Sequence, residues 1–362
     1  MHVRRFLETQ QLCRFQIGHF VVPTISRQAH LKKRCNERIA NRSIFSQLLE
    51  KLRTICGQHG IPGDPFVQLN RPKEILAAFL DLARTRIAFM VVISCAVGFV
   101  MAYKGDFNWF QFACALVGTG LLSSGGCAIN CYIERELDAM MPRTAQRPIP
   151  AGVVSPNTAL IYGISLIVAG ALILFVFNNL LCAVLGLSAV GIYLGMYTPA
   201  KRWTWLNTSV GAVPGAIPPL IGWAAASGEL NTCGWILFAI LFIWQHTHFL
   251  PIAWLFKEDY RAAGFKMLPA LEEKAEKTFG LTIATAIVLL PLSTMLYYTG
   301  NSFAGPAYCL ASLMGGLILV VTSVQWKNKQ SRQAARLVLL MSLVYLPAIF
   351  AGVVLDRVCG WT

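Results

Sequence analysis

Nine near-continuous apolar stretches recur along the chain, at roughly 87–103, 109–130, 158–177, 180–197, 209–227, 235–255, 279–298, 304–324 and 337–355. Each approaches the ~20 residues a helix needs to cross a bilayer. Hydrocarbon offers no partner to an exposed backbone amide, so spans of this kind close their hydrogen bonds internally, as helices. The pattern predicts an all-α, polytopic integral membrane protein. Its membrane domain covers residues 80–356, behind an N-terminal extension of residues 1–75.

Composition supports this reading. The 362 residues are 56% hydrophobic and 13% charged, with a mean hydropathy of +0.56, whereas soluble domains carry about 25% charged residues. The polar residues are too few to cover a soluble core of this size. Eleven cysteines form no Cys-x-x-Cys pair. Cys95, Cys114, Cys127, Cys131, Cys182 and Cys309 lie in or beside apolar stretches, where a thiol packs as a small hydrophobe.

A net charge of +14 would suggest nucleic acid, but the positions of the charges say otherwise. The chain up to Arg86 holds 15 Lys and Arg, and the loops after the second, fourth, sixth and eighth stretches hold 3, 2, 5 and 4. The opposite side has only Lys104 and Arg357. This is positive-inside segregation, which a miscounted span would have scrambled. No Asp, Glu, Lys or Arg falls inside a proposed span, which argues against a proton relay or a voltage sensor.

Residues 1–60 hold eleven Lys and Arg against three acids, Glu8, Glu37 and Glu50, and no long apolar run. An Arg-rich, acid-poor segment ahead of a membrane domain predicts a mitochondrial transit peptide, and hence an inner-membrane protein. A plain basic tail has the same composition.

Two polar segments on the positive side carry candidate chemistry. In the first, Asn130, Glu134 and Asp138 are spaced i, i+4, i+8, one face of a helix that continues past the membrane. Three oxygen donors in a column suit Mg²⁺, which takes one or two carboxylates plus phosphate oxygens. Arg143 and Arg147 follow, and guanidinium groups suit phosphate. A surface loop with local salt bridges would use the same residues, and spacing alone does not separate the two.

The second segment runs from Trp244-Gln245-His246 through His248-Phe249 to Lys257-Glu258-Asp259-Tyr260-Arg261. His246 and His248 are the only histidines past residue 59. At i, i+2 they point to different helix faces and make a poor zinc pair. Glu258 and Asp259 are placed to complete a metal or diphosphate site facing the first loop, or to cap a helix end. Lys201 and Arg202, after the fourth stretch, add two cations that serve orientation or phosphate equally well. The Gly- and Pro-rich fifth stretch is expected to line the interior.

These residues resemble the UbiA-type intramembrane prenyltransferases and, within that superfamily, the protoheme IX farnesyltransferases. Three segments carry the resemblance: Asn130, Glu134, Asp138, Arg143-Thr144 and Arg147-Pro148; Tyr197-Thr198, Lys201-Arg202 and Thr204; and Trp244-Gln245, His248-Phe249, Lys257-Glu258-Asp259-Tyr260 with Met267-Leu268-Pro269. They cover about residues 80–355. Arg84-Thr85-Arg86 stands where the family has a Lys-Pro-Arg run, and residues 1–75 match nothing. Where relatives acting on quinone precursors carry a second Asp-rich box, this chain has His248 with Glu258-Asp259, which favours the haem branch.

The resemblance implies nine helices around a central cavity, with farnesyl diphosphate and haem b as substrates. It implies Mg²⁺ on Asn130, Glu134, Asp138 and Asp259, and diphosphate held by Arg143, Arg147, Lys201 and Arg202. It implies a haem side formed by His248, Lys257, Glu258, Asp259 and Tyr260, with His248 ahead of His246 and facing the same cavity as Asn130. A haem A synthase acting downstream is the implied partner, and nucleic acid is not. A quinone-type prenyltransferase would share the metal site, whereas a transporter or scaffold would tolerate loss of Glu134 and Asp138.

Overall fold

Two helix crossings fix the frame, and both depend on residues without a side chain. A Cβ on Gly125 of the second span would meet the carbonyl oxygen of Gly163 on the third at 2.6 Å, and one on Gly170 would meet that of Gly118 at the same distance. At the second crossing Gly222 of the fifth span lies against the Cys95 carbonyl of the first, too close for any Cβ. Lipid gives apolar helices no hydrophobic reason to associate, so close backbone approach supplies the attraction.

The computed structural model describes residues 72–299 and 304–361. Among them nine helical spans are long and apolar enough to cross a membrane: Thr85–Ala102, Trp109–Ile133, Pro156–Phe177, Leu180–Trp203, Asn207–Ser227, Thr232–Leu255, Glu276–Tyr298, Pro306–Lys329 and Arg332–Val358. They match the nine apolar stretches one for one, and no strand occurs among the described residues. A short helix, Pro72–Leu82, precedes them. The expected transit peptide lies outside the described residues.

The spans divide by what they face. The fifth and sixth are 61% and 56% buried, while the third and fourth are 17% buried and turn their sides to lipid. The fifth therefore lines the interior, as its Gly and Pro content predicted. It is broken at Ile217, between Asn207–Ala216 and Pro218–Ser227, where Pro218 has no N–H to continue the ladder.

Two spans depart from their predicted limits in ways that matter. The fourth runs past residue 197 to Trp203 through a π-helical turn, Ile192–Tyr197, inserted between α-helical segments. The ninth runs past residue 355 and carries Asp356, which is fully buried. That carboxylate accepts hydrogen bonds from the backbone N–H of Gly305, Ala307 and Tyr308 at 2.8, 2.8 and 2.9 Å. It caps the eighth span from outside that span's own sequence, answering donors that a helix start leaves unbonded. Cys95, Cys127, Cys131 and Cys182 are buried in the packed interior, as small hydrophobes would be.

Candidate active site

The site begins at the last turn of the second span. The α-helix Trp109–Ile133 ends at Glu134, whose backbone (φ −90°, ψ 5°) leaves the helical region before Arg135–Met140 resumes. The hydrogen bonds carry across the break, from Glu134 N–H to the Asn130 carbonyl at 2.9 Å and from Asp138 N–H to the Glu134 carbonyl at 2.8 Å. The i, i+4, i+8 column thus survives the kink. All three side chains are buried: Asn130 is 1% exposed, Glu134 6% and Asp138 1%.

Each member of the column meets a partner from elsewhere in the chain. Lys201 of the fourth span pairs with Glu134, Nζ to Oε1 at 2.7 Å, and Arg147 pairs with Asp138, Nη1 to Oδ2 at 2.5 Å. Asn130 donates from Nδ2 to Thr198 Oγ1 at 3.1 Å and accepts at Oδ1 from the Tyr193 hydroxyl at 3.2 Å. Thr144, also buried, donates to the Asp138 carbonyl at 2.8 Å and pins the turn that delivers Arg147. Two carboxylates and a carboxamide are an oxygen donor set, which fits a hard divalent cation that phosphate oxygens complete.

The loops on this side meet through packing. Arg143 stacks its guanidinium over Phe256 at 5.0 Å and Tyr260 at 5.8 Å. Met141, Ala263 and Phe265 form a small core beneath with Leu137, Tyr260 and Met267. Lys201 extends the contact, accepting at its carbonyl from Lys266 N–H at 2.7 Å.

The structure does not bring the rest of the second acidic segment to the column. Among the described residues no three His, Cys, Asp or Glu side chains cluster as a metal site, so Asp259 does not join Glu134 and Asp138. Glu258 pairs instead with Arg261 in solvent, 2.8 Å away, and Lys257 lies over Trp254. Arg202 is exposed while its neighbour Lys201 turns inward.

The histidines also differ from expectation. His248 faces the ninth span rather than the Asn130 column: Nδ1 is 2.9 Å from Ser342 Oγ, and the ring stacks on Trp244. Sixth-span geometry sets this, because His248 falls one turn beyond Trp244, which donates to the Ser342 carbonyl at 2.8 Å. His246 is buried against the fifth span, with Nδ1 2.9 Å from the Phe242 carbonyl and Nε2 2.9 Å from Ser209 Oγ.

A model of the UbiA prenyltransferases matches residues 91–344. The chain belongs to the UbiA prenyltransferase family. Protoheme IX farnesyltransferase of Solibacter usitatus is 39% identical to it over 288 residues, 77% of this chain and 98% of that protein. The protein of the same name from Sorangium cellulosum is 41% identical over 246 residues, 68% and 87% of the two chains. Among solved structures, a UbiA homologue of Archaeoglobus fulgidus bound to GPP and Mg²⁺ shares the fold. Its TM-score is 0.58 at 15% identity, over 76% of this chain and 99% of that one.

The contacts that three residues make in and beside this UbiA site were not legible in the sequence. Tyr193 lies inside the fourth apolar stretch and Thr198 just past its predicted end, and both reach Asn130 across the π-helical turn. Arg84 caps the first span from a left-handed backbone conformation (φ 46°, ψ 56°) that non-glycine residues rarely adopt. Its guanidinium lies 3.8 Å from the sulfur of Cys131, next in sequence to Asn130. Its place ahead of the first apolar stretch was visible, but its reach to the second span was not.

Proposed function

We propose that this UbiA chain transfers the farnesyl group of farnesyl diphosphate to a vinyl group of haem b, making haem O for haem A biosynthesis. The observation that carries the reading is the buried Asn130–Glu134–Asp138 column, with Lys201 and Arg147 in contact with its acids. In the reaction the bond between farnesyl C1 and the diphosphate oxygen breaks, and the electron pair leaves with the diphosphate. The vinyl group attacks the allylic cation, and water adds to the porphyrin-stabilised cation with loss of a proton.

Lys201, Arg147 and Arg143 are the cations that neutralise the departing diphosphate, with Arg84 beside them. Such preorganised charge is the largest contribution a site of this kind makes to rate. Asn130, Glu134 and Asp138 would hold Mg²⁺, which would supply further positive charge to the phosphate oxygens. The apolar interior of the fifth and sixth spans keeps water from the allylic cation.

Haem is oriented by His248. Ser342 gives its only proton to the Leu339 carbonyl at 2.7 Å, so the 2.9 Å contact to His248 Nδ1 has the ring nitrogen as donor. Nε2 then carries an unshared pair and makes no hydrogen bond among the described residues, the tautomer an iron ligand requires. His246 has both nitrogens engaged.

The chain resides in the mitochondrial inner membrane with the Asn130 loop toward the matrix, and its product passes to a haem A synthase. The test is to incubate membranes containing the protein with haem b, farnesyl diphosphate and Mg²⁺ and to weigh the porphyrin product. A haem gaining farnesyl plus water is expected. A prenylated aromatic acid formed in place of it, in parallel incubations, would move the chain to the quinone branch.

A further inference from the structure

The fourth span changes pitch beside the site, through the π-helical turn Ile192–Tyr197. In an α-helix, Tyr193 and Lys201 would differ in direction by about 80°, at about 100° per residue over eight residues. A π turn absorbs one residue and brings the two to within about 20°. One face of the fourth span therefore brings Tyr193, Thr198 and Lys201 to the second span, with Tyr197 packed between Tyr193 and Lys201.

That face closes a ring of hydrogen bonds around a single carboxamide. The Tyr193 hydroxyl donates to Asn130 Oδ1 at 3.2 Å, Asn130 Nδ2 donates to Thr198 Oγ1 at 3.1 Å, and Thr198 Oγ1 donates to the Tyr193 carbonyl at 2.9 Å. A carboxamide can present either its oxygen or its nitrogen in one direction, and the ring allows one choice. Oδ1 has two lone pairs, of which Tyr193 takes one and leaves the other for a cation. The Tyr193 ring stacks on Tyr197 at 5.7 Å, and Lys201 Nζ sits 4.7 Å above Tyr197 while bonded to Glu134. Two members of the column are thus braced by one surface.

We propose that Tyr193 is a positioning residue for divalent-cation binding: its hydroxyl, aimed by the π turn, fixes the Asn130 carboxamide with oxygen toward the cation. This rests on reading the column as the metal–diphosphate site. Tyr193→Phe removes the hydroxyl and keeps the ring and its stack.

The experiment titrates Mn²⁺ calorimetrically into the full detergent-purified chain preloaded with farnesyl thiodiphosphate, an analogue that does not ionise readily. Tyr193→Phe should weaken Mn²⁺ about three- to tenfold, the worth of one neutral hydrogen bond, while the chain stays folded with at most a small drop in thermal midpoint. Asn130→Asp replaces the carboxamide with a group whose two oxygens are equivalent and need no aiming. In that background the Tyr193→Phe loss should shrink below twofold, a coupling that a merely structural hydroxyl would not produce. Should Tyr193→Phe fold poorly, Thr198→Val opens the same ring from its other side and should give the same loss and the same rescue. An unchanged Mn²⁺ affinity in either variant, or a loss that persists in the Asn130→Asp background, overturns the proposal. Absence of Mn²⁺ binding to the unmodified chain instead overturns the reading of the column itself.

Discussion

The two polar segments on the positive side look alike in sequence and end in opposite environments. Each sets acids and basic residues within a few positions of an apolar span. In the first, Glu134 and Asp138 are buried and their cations come from 67 and 9 residues away. In the second, Glu258 finds Arg261 three residues on, with side chains 68% and 49% exposed. Breaking an exposed pair costs about 0–1 kcal/mol, whereas breaking a buried one costs about 3–5 kcal/mol. A chain that holds charge in a buried site must supply the opposite charge from another element. That supply, more than local density of charge, separates a site from a surface.

The strongest test of this contrast is to remove charge while keeping shape on both sides. Glu134→Gln and Asp138→Asn should each lower haem O formation at least ~100-fold, the scale of losing an electrostatic group at a reacting centre. Glu258→Gln should stay within about twofold, as an exposed pair would. Product per unit of inserted protein, by chromatography and immunoblot, is the measurement, and similar losses in all three would erase the distinction.

The neighbouring cations sharpen it further. Lys201→Gln strands the buried Glu134 and should destabilise the solubilised protein by about 3 kcal/mol while raising KM for farnesyl diphosphate. Arg202→Gln, one residue on and exposed, should do neither. Thermal unfolding with substrate titration would show whether the inward turn of Lys201 is what matters.

Next come the histidines. His248→Ala should shift the absorption of bound haem and weaken its binding, because it removes the free Nε2. His246→Ala should leave the spectrum in place while costing stability through two lost hydrogen bonds. A spectrum that follows His246 would put haem against the fifth span instead of the ninth.

The smallest effect is expected where the two loops touch. Arg143→Leu removes a cation–π contact worth about 0.5–1 kcal/mol at an exposed site, together with one charge near the diphosphate. A severalfold rise in KM is expected. If Arg143→Lys restores KM, charge is the operative property; if it does not, the planar stack on Phe256 and Tyr260 is.

Much of this molecule was legible in order along the chain. Span number follows from hydrocarbon thickness and apolar length, and orientation follows from where Lys and Arg fall. The column from Asn130 to Asp138 was legible because its members repeat every four residues, and the backbone bonds bridge the kink at Glu134. Contacts between spans were not. Nothing in Ile192–Tyr197 announces a π turn, in and beside which Tyr193 and Thr198 meet Asn130 of another span. His248 was assigned to the wrong neighbour for a related reason: a helical wheel tells which residues share a face, and only tertiary packing tells what that face meets. Asp259 shows the same limit, an acid of the right type whose short helix does not carry it to the column.

Asp356 has a bearing on how the protein is made. The first turn of the eighth span takes its cap from a residue 48 to 51 positions further along. Until the ninth span has been translated and docked, the three amides of that turn have only water or lipid headgroups as partners. The hairpin of the last two spans can therefore be sealed only as a pair. A chain interrupted between them would present a frayed, polar helix start that the cell's quality control could recognise before any active site had formed.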